Sequence, residues 1–325
     1  MHKVLLTGAA GFLGARLARR MVKDGWEVIG LDLVPREYAW RLEGAELEYR
    51  WGSCQDLHSL DTPYVVHCAS QGDVPLALSA PSFTISQNVQ GTLALLEAAK
   101  RYDGLERFVL QSSEEVYGYC DRLPIKEDEP LNATNVYGAS KIAQEALVRA
   151  YHHSFRLPMT VIRSSTIIGD GMRKTQVIPI FLERALQGEP LMIHGDGNQT
   201  RDFNWVDNHI EAMVAALTSP QAKGLVINVG SGEERSVNSV AMACVLATGS
   251  DSRIRYVSQR PGEQGLRVVL DISRAREVLG YQPQVSFDEG LERMCAWLAK
   301  ELGIWRGSHK VPGHLVVRDI GDGHR

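Results

Sequence analysis

Thr7-Gly8-Ala9-Ala10-Gly11-Phe12-Leu13-Gly14 is the stretch that decides the fold. It follows Lys3–Thr7, a short apolar run of strand type. It precedes Phe12, Leu13, Leu17, Met21 and Val22 at helical spacing, with Gly25 as the stop. Glycines at 8, 11 and 14 permit a tight turn, close approach of backbone to a pyrophosphate, and tight helix–strand packing. The helix N-terminus adds N–H donors and positive dipole for phosphates. Three spaced glycines also occur in ordinary turns; strand, helix and a downstream acid together point to a dinucleotide site. That acid is Asp32, ending a second strand at Glu27–Leu31. A carboxylate there accepts from ribose hydroxyls and repels a 2′-phosphate, which favours NAD; Arg36 nearby keeps NADP as the alternative. Asp56-Leu57 stands where it could frame the adenine.

Outward from this turn the alternation continues. Tyr64–Cys68, Arg107–Ser112 and Met159–Arg163 read as strands, and Thr84–Arg101 and Val136–His153 as helices. Short apolar strands alternating with helices predict an α/β fold, a doubly wound parallel sheet of Rossmann type covered on both faces. After Gly169, Pro179, Pro190, Gly195, Gly197 and Pro220 break the chain into shorter pieces, with helices near Asp207–Leu217, Val237–Ala247 and Phe287–Leu302. The expected division is a cofactor-binding domain over 1–168, a smaller α/β substrate lobe over 169–302 interleaved with the last strands of the sheet, and an extension over 303–325.

Composition narrows the function. The 325 residues carry a formal charge of −4, with 44% hydrophobic and 23% charged residues, a globular balance. No Lys/Arg block suits a nucleic acid or anionic membrane, and no apolar run reaches the ~18–20 residues of a bilayer span. Met1-His2-Lys3 leads straight into a strand rather than into a signal peptide. The five cysteines have no paired motif, and His67, His152, His153 and His209 are isolated, so neither disulfide nor metal site is expected. The expectation is a cytoplasmic enzyme.

Several ordered motifs then converge: Thr7–Gly14, His67-Cys68-Ala69-Ser70, Asn88-Val89-Gln90-Gly91-Thr92, Ser112–Gly118, Tyr137-Gly138-Ala139-Ser140-Lys141, Gly195–Asp207 and Arg260-Pro261-Gly262-Glu263. With them the sequence resembles the extended short-chain dehydrogenase/reductase superfamily, in its nucleotide-sugar epimerase/dehydratase branch. The resemblance runs to about residue 302. It implies a tightly bound, recycled NAD held by Gly8, Gly11, Phe12, Leu13, Gly14, Asp32, Asp56, Leu57, Cys68, Ala69, Ser70, Asn88, Tyr137 and Lys141. It also implies a homodimer through Thr84–Arg101 and Val136–His153.

Tyr137 and Lys141, four apart on a helix, share a face. An ammonium beside a phenol stabilises the phenolate and lowers its pKa, so Tyr137 is expected to be a base tuned by Lys141. The resemblance makes Ser113 the holder of the substrate hydroxyl and Tyr137 the acceptor of the 4-hydroxyl proton. Glu114 and Glu115 follow Ser113. The resemblance places Glu115 where 4,6-dehydratases carry a base and Glu114 where some carry an acid; on an extended segment, however, neighbours point opposite ways, which would leave one of them solvated. Dehydration, 4-epimerisation (as in a UDP-glucose 4-epimerase), decarboxylation of a UDP-glucuronate, NADPH-dependent ketoreduction and a non-catalytic NAD-sensing role all stay open, with dehydration narrowly ahead.

On the nucleotide-sugar side, the resemblance assigns diphosphate and ribose contacts to Arg201, Arg260 and Glu263, because a guanidinium fork suits phosphate. Asp202 and Asp207 are read as holding the lobe together. Relatives usually show Arg-x-Phe-Asn-x-Tyr-Gly where this chain has Arg163-Ser164-Ser165-Thr166-Ile167-Ile168-Gly169, so Thr166 stands at the usual substrate Asn. Ala77 likewise stands where relatives often carry Ser.

Overall fold

Runs of buried apolar residues build the central sheet. In a computed structural model that describes residues 2–259 and 265–304, β1 (Lys3–Thr7), β2 (Glu27–Asp32), β3 (Glu48–Trp51), β4 (Tyr64–His67), β5 (Arg107–Ser113) and β6 (Met159–Ser164) are followed by β7 (Thr166–Ile168), β8 (Leu191–His194), β9 (Thr200–Arg201), β10 (Phe203–Trp205), β11 (Val226–Val229), β12 (Arg235–Ser236) and β13 (Ile254–Val257). Seven strands form one parallel sheet in the order β11-β6-β5-β4-β1-β2-β3. The strand order reverses between β1 and β4. Such a switch point opens a crevice at the carboxyl ends of the strands. Thr7, Asp32, His67, Ser113 and Ser164 end their strands there.

The helices are α1 (Phe12–Lys23), α2 (Val74–Ser79), α3 (Pro81–Ile85), α4 (Gly91–Lys100), α5 (Val136–Phe155), α6 (Val177–Leu186), α7 (Val206–Thr218), α8 (Val237–Thr248), α9 (Ser273–Leu279) and α10 (Phe287–Glu301). Helix α1 buries Leu17, Ala18 and Met21. Asn135 caps α5 by accepting from the Gly138 N–H at 2.9 Å, a common start signal. No helix among the described residues is long and apolar enough to cross a membrane.

Three details differ from the sequence reading. The expected helix over Thr84–Arg101 is α3, a wider five-residue turn at Ser86–Gln90, and α4. Such expanded turns cluster at functional sites, and this one carries buried Asn88. Pro179 does not break the chain: it sits in the first turn of α6, where an N–H has no intrahelical partner. Edge strand β3 was not anticipated, because its residues are exposed or half-buried and lack an apolar run.

Residues beyond 169 supply β11 of the main sheet, the small pairs β8–β13 and β9–β12, and β10, which pairs with β7 just before that boundary. Buried Asp202 stitches these together, accepting from the Ser231 N–H and hydroxyl at 2.8 and 2.6 Å and from the Leu270 N–H at 3.3 Å.

Candidate active site

The glycine turn after β1 forms the floor of a cavity of about 360 Å³. Gly8 has φ +72°, and a methyl group there would lie 2.7 Å from the Ala69 nitrogen; one on Gly14 would lie 2.0 Å from the Gly8 carbonyl oxygen. Only hydrogen fits at either position, so α1 is drawn hard against the turn. Asp32 is held at the cavity rim by the Ala10 N–H at 2.9 Å and the Val34 N–H at 3.0 Å. Gly8, Gly11, Asp32, Cys68, Ala69 and Ser70 line the space. Arg36 does not: it donates to the Leu42 and Ala45 carbonyls and lies over the Tyr49 ring. A carboxylate at the rim, with this guanidinium turned away, fits NAD better than a 2′-phosphorylated cofactor.

Other expected cofactor residues stand off the cavity. Leu13 and Gly14 belong to α1, and Phe12 faces a separate recess with Arg16, Arg19 and Trp40. Asp56 and Leu57 do not line it either: a short helical turn at Cys54–Asp56 points Ser53 and Cys54 inward instead, and Leu57 packs against the core. Asn88 acts one step removed. It accepts from the Gln71 N–H at 2.7 Å and donates to Ser140 at 2.8 Å, tying the loop after β4 to α5. Arg41, Gln71, Phe83 and Gln87 complete the wall; sequence reading missed them because they lie outside the glycine motif.

Beside this cavity, the end of β5 meets α5. Ser113 hydrogen-bonds Tyr137 and also accepts from the Glu115 N–H at 3.2 Å, so it serves both the phenol and the turn. Lys141 is buried, donates to the Gln111 carbonyl at 2.9 Å, and lies 5.8 Å from the Tyr137 ring centre. The expected lowering of the phenol pKa is not what these residues produce. Enclosure pushes Tyr137 up to about 12, Ser113 and Arg173 partly opposing it, while burial pushes Lys141 down to about 8. Desolvation disfavours the charged form of each and is the largest influence on both.

The segment bearing the two glutamates is a tight helical turn, not an extended one, and neither side chain is simply solvated. Glu114 is buried; its Oε1 accepts from Thr166 at 2.8 Å, and its Oε2 has no partner among the described residues. Burial raises its pKa to about 8, with Arg201 working the other way. Glu115 is half-buried and accepts from Asn135 at 2.8 Å. Arg201 reaches a second cavity of about 330 Å³ between α6, β8 and β10, with Phe181, Arg184, His194 and Gln199. Arg260 and Glu263 lie outside the described residues.

Beneath the site runs a buried network that sequence reading missed. Ser112 donates to Glu145 at 2.5 Å. Arg163 binds the same carboxylate with Nε and Nη2 at 3.0 and 2.7 Å, and its Nη1 reaches the Tyr117 hydroxyl at 2.8 Å. Tyr117 donates onward to Asn228 at 2.7 Å. Glu145 is four residues past Lys141, so helical spacing could have flagged it. His67 and His209, buried and pushed down to about 3, are core side chains bonded to Thr7 and Thr92 and to Gln111.

Sheet order, glycine cradle and the Ser113–Tyr137–Lys141 cluster define a protein of the extended short-chain dehydrogenase/reductase class. Within that class, the chain belongs to the NAD dependent epimerase/dehydratase family, whose sequence model matches residues 4–230. It is 35% identical over 305 residues to a UDP-glucose 4-epimerase of Mycolicibacterium smegmatis, covering 90% of this chain and 96% of that protein. It is 32% identical over 327 residues to a dTDP-glucose 4,6-dehydratase of Xanthomonas campestris, covering 90% and 92%. Among solved structures, UDP-glucose 4-epimerase of Thermotoga maritima superimposes with a TM-score of 0.85 at 29% identity, covering 92% of this chain and 99% of that one. The NAD-bound dTDP-glucose 4,6-dehydratase DesIV of Streptomyces venezuelae gives 0.85 at 30% identity, covering 93% and 98%.

Proposed function

We propose that this chain is a nucleotide-sugar 4,6-dehydratase. The supporting observation is the division of labour between adjacent carboxyls: Glu114, buried with a pKa near 8, keeps its proton at neutral pH, while Glu115 stands half-exposed beside it. When bound, NAD takes a hydride from the sugar and returns it within the same turnover. Ser113 holds the 4-hydroxyl and Tyr137 takes its proton. Once C4 is a ketone the C5 proton is acidic; Glu115 removes it, and Glu114 delivers a proton to the departing 6-hydroxyl, which leaves as water. Arg201 holds the diphosphate, with residues 1–168 carrying the cofactor and 169–302 most of the substrate contacts. Arg260 and Glu263 are assigned to the nucleotide by resemblance.

The test is incubation with UDP-, dTDP-, GDP- and CDP-hexoses followed by mass spectrometry. Loss of one water without net NADH supports the dehydratase; loss of carbon dioxide or accumulation of NADH overturns it. Unchanged mass with inverted C4 supports a 4-epimerase, the second reading, favoured by the 35% identity to such an enzyme; Ser113, Tyr137 and Lys141 suffice for that chemistry. Removing the Glu114 acid separates the two. Since Glu114 has a raised pKa, its acid form is present below about pH 8 and is lost as pH rises through it. Dehydration is expected to decline above that point, and Glu114→Gln to slow it by about 10²–10⁴-fold. A 4-epimerase would keep its rate in that variant, while loss of the Lys141 proton, also near 8, weakens either reaction at high pH.

The chain is further inferred to be a cytoplasmic homodimer. Ile85, Val89 and Leu93 recur at four-residue spacing from α3 through the wider turn at Ser86–Gln90 into α4, with Ile85 and Leu93 exposed. Such an apolar stripe beside α5 suits burial against a second copy. Light scattering is expected to give twice the chain mass, and a monomer at micromolar concentration would refute it.

A further inference from the structure

The loop after β7 reaches across the cleft to the loop after β4. Arg173 donates from Nη1 to Asp73 Oδ2 at 2.9 Å and from Nη2 to the Gly72 carbonyl at 2.8 Å. Gly72 faces both this guanidinium and the phenol: a methyl group on it would stand 3.9 Å from Arg173 Nη2, 3.9 Å from Tyr137 Cε2 and 4.0 Å from the Tyr137 hydroxyl. The cation and the phenol thus approach the same side of Gly72. The side chains of Arg173 and Asp73 are 44% and 31% exposed, and ion pairs that wet contribute little to stability. The contact is too weak to matter for the fold and weak enough to open and reclose.

We propose that Arg173 is a positioning residue of the reaction, a latch that draws the Gly72–Asp73 loop over Tyr137 and holds a cation beside the phenol. The inference rests on the reading above only in taking Tyr137 as the base. The charged groups facing Tyr137 are Glu114 and Glu115 from the turn after β5, which raise its pKa, Arg173 from across the cleft, which lowers it, and Lys141 one turn along α5. Ser113 also lowers it through its hydrogen bond. Without Arg173 the two carboxylates face the phenol with no cross-cleft cation, and the phenolate becomes harder to form.

The test compares Arg173→Gln and Arg173→Lys in the NAD-loaded enzyme. One readout is the titration of Tyr137, followed by carbon NMR of tyrosine-labelled protein and assigned with Tyr137→Phe. The others are kcat against pH and KM. In Arg173→Gln the Tyr137 transition and the rising limb of kcat are expected to move to higher pH, with KM raised several-fold. Arg173→Lys is expected to restore the pH position but not KM, since an ammonium keeps the charge and loses the two-pronged grip. An unmoved Tyr137 titration in folded Arg173→Gln overturns the proposal, whatever KM does. Failure of the dehydratase reading shows separately, as absence of turnover in the unaltered protein, with the titration still readable.

Discussion

Replacing Tyr137 by phenylalanine is expected to lower kcat about a thousandfold, within the usual span for losing a positioned acid–base group. The change removes one oxygen and keeps the ring, so the fold and the cavity after β1 should be retained. What goes is the hydroxyl bonded to Ser113 and faced by Glu114, Glu115 and Arg173. Burial holds the phenol near pKa 12 even with Arg173 opposing it, so further positive charge is needed to bring it into use, which bound NAD would supply beside Lys141, 5.8 Å from the ring. A rate loss of that size is worth about 4 kcal/mol at the transition state. The measurement is single-turnover kinetics on variant protein of matched NAD content. Retention of more than a tenth of the wild-type rate would remove Tyr137 from the chemistry, and with it the basis for every other assigned role.

The parts of the molecule that could be read from sequence are those governed by local pattern. β1, β4, β5 and β6 each centre on a short apolar stretch, because sheet strands covered on both faces need no polar side there. Tyr137 and Lys141 were visible because a helix repeats its face every four residues. What escaped depends on contacts between distant segments. Arg173 meets Asp73 across the cleft, and Arg163 meets Glu145 across the buried interior; Arg173 belongs to no spaced motif, and Arg163, though it opens the Arg163–Gly169 segment, has a partner that no local pattern names. The phenol pKa was read with the wrong sign for a related reason: a nearby ammonium is visible in sequence, but the enclosure that outweighs it is a property of the folded chain. The turn at Glu114–Val116 shows the same limit, since alternation in an extended segment was assumed and a tight turn buries Glu114 instead.

Glu145 and Arg163 should behave in opposite ways when changed singly and together. Both are almost wholly buried, at 1% and 3% exposure of their side chains. Burial works against the Arg163 charge, but Glu145 more than offsets it and holds the guanidinium above its usual range. Truncating one partner leaves an uncompensated charge in the interior, so Glu145→Ala is expected to destabilise the protein by about 3–5 kcal/mol, read as a lower urea midpoint. Replacing both with apolar side chains of similar volume, Glu145→Leu with Arg163→Met, removes the charge problem and should recover most of that loss. Activity should not recover with stability. Glu145 also accepts from Ser112, next to Ser113, and its charge supports the ammonium of Lys141 one turn away. In the double variant Lys141 should therefore lose its proton at still lower pH, and kcat should stay depressed even where the urea midpoint is restored. Equal stability of Glu145→Ala and the unaltered chain would show that the pair does not bear on folding. Full activity in the double variant would show that it does not bear on the site, leaving Ser113 and Lys141 positioned by the backbone of β5 and α5 alone.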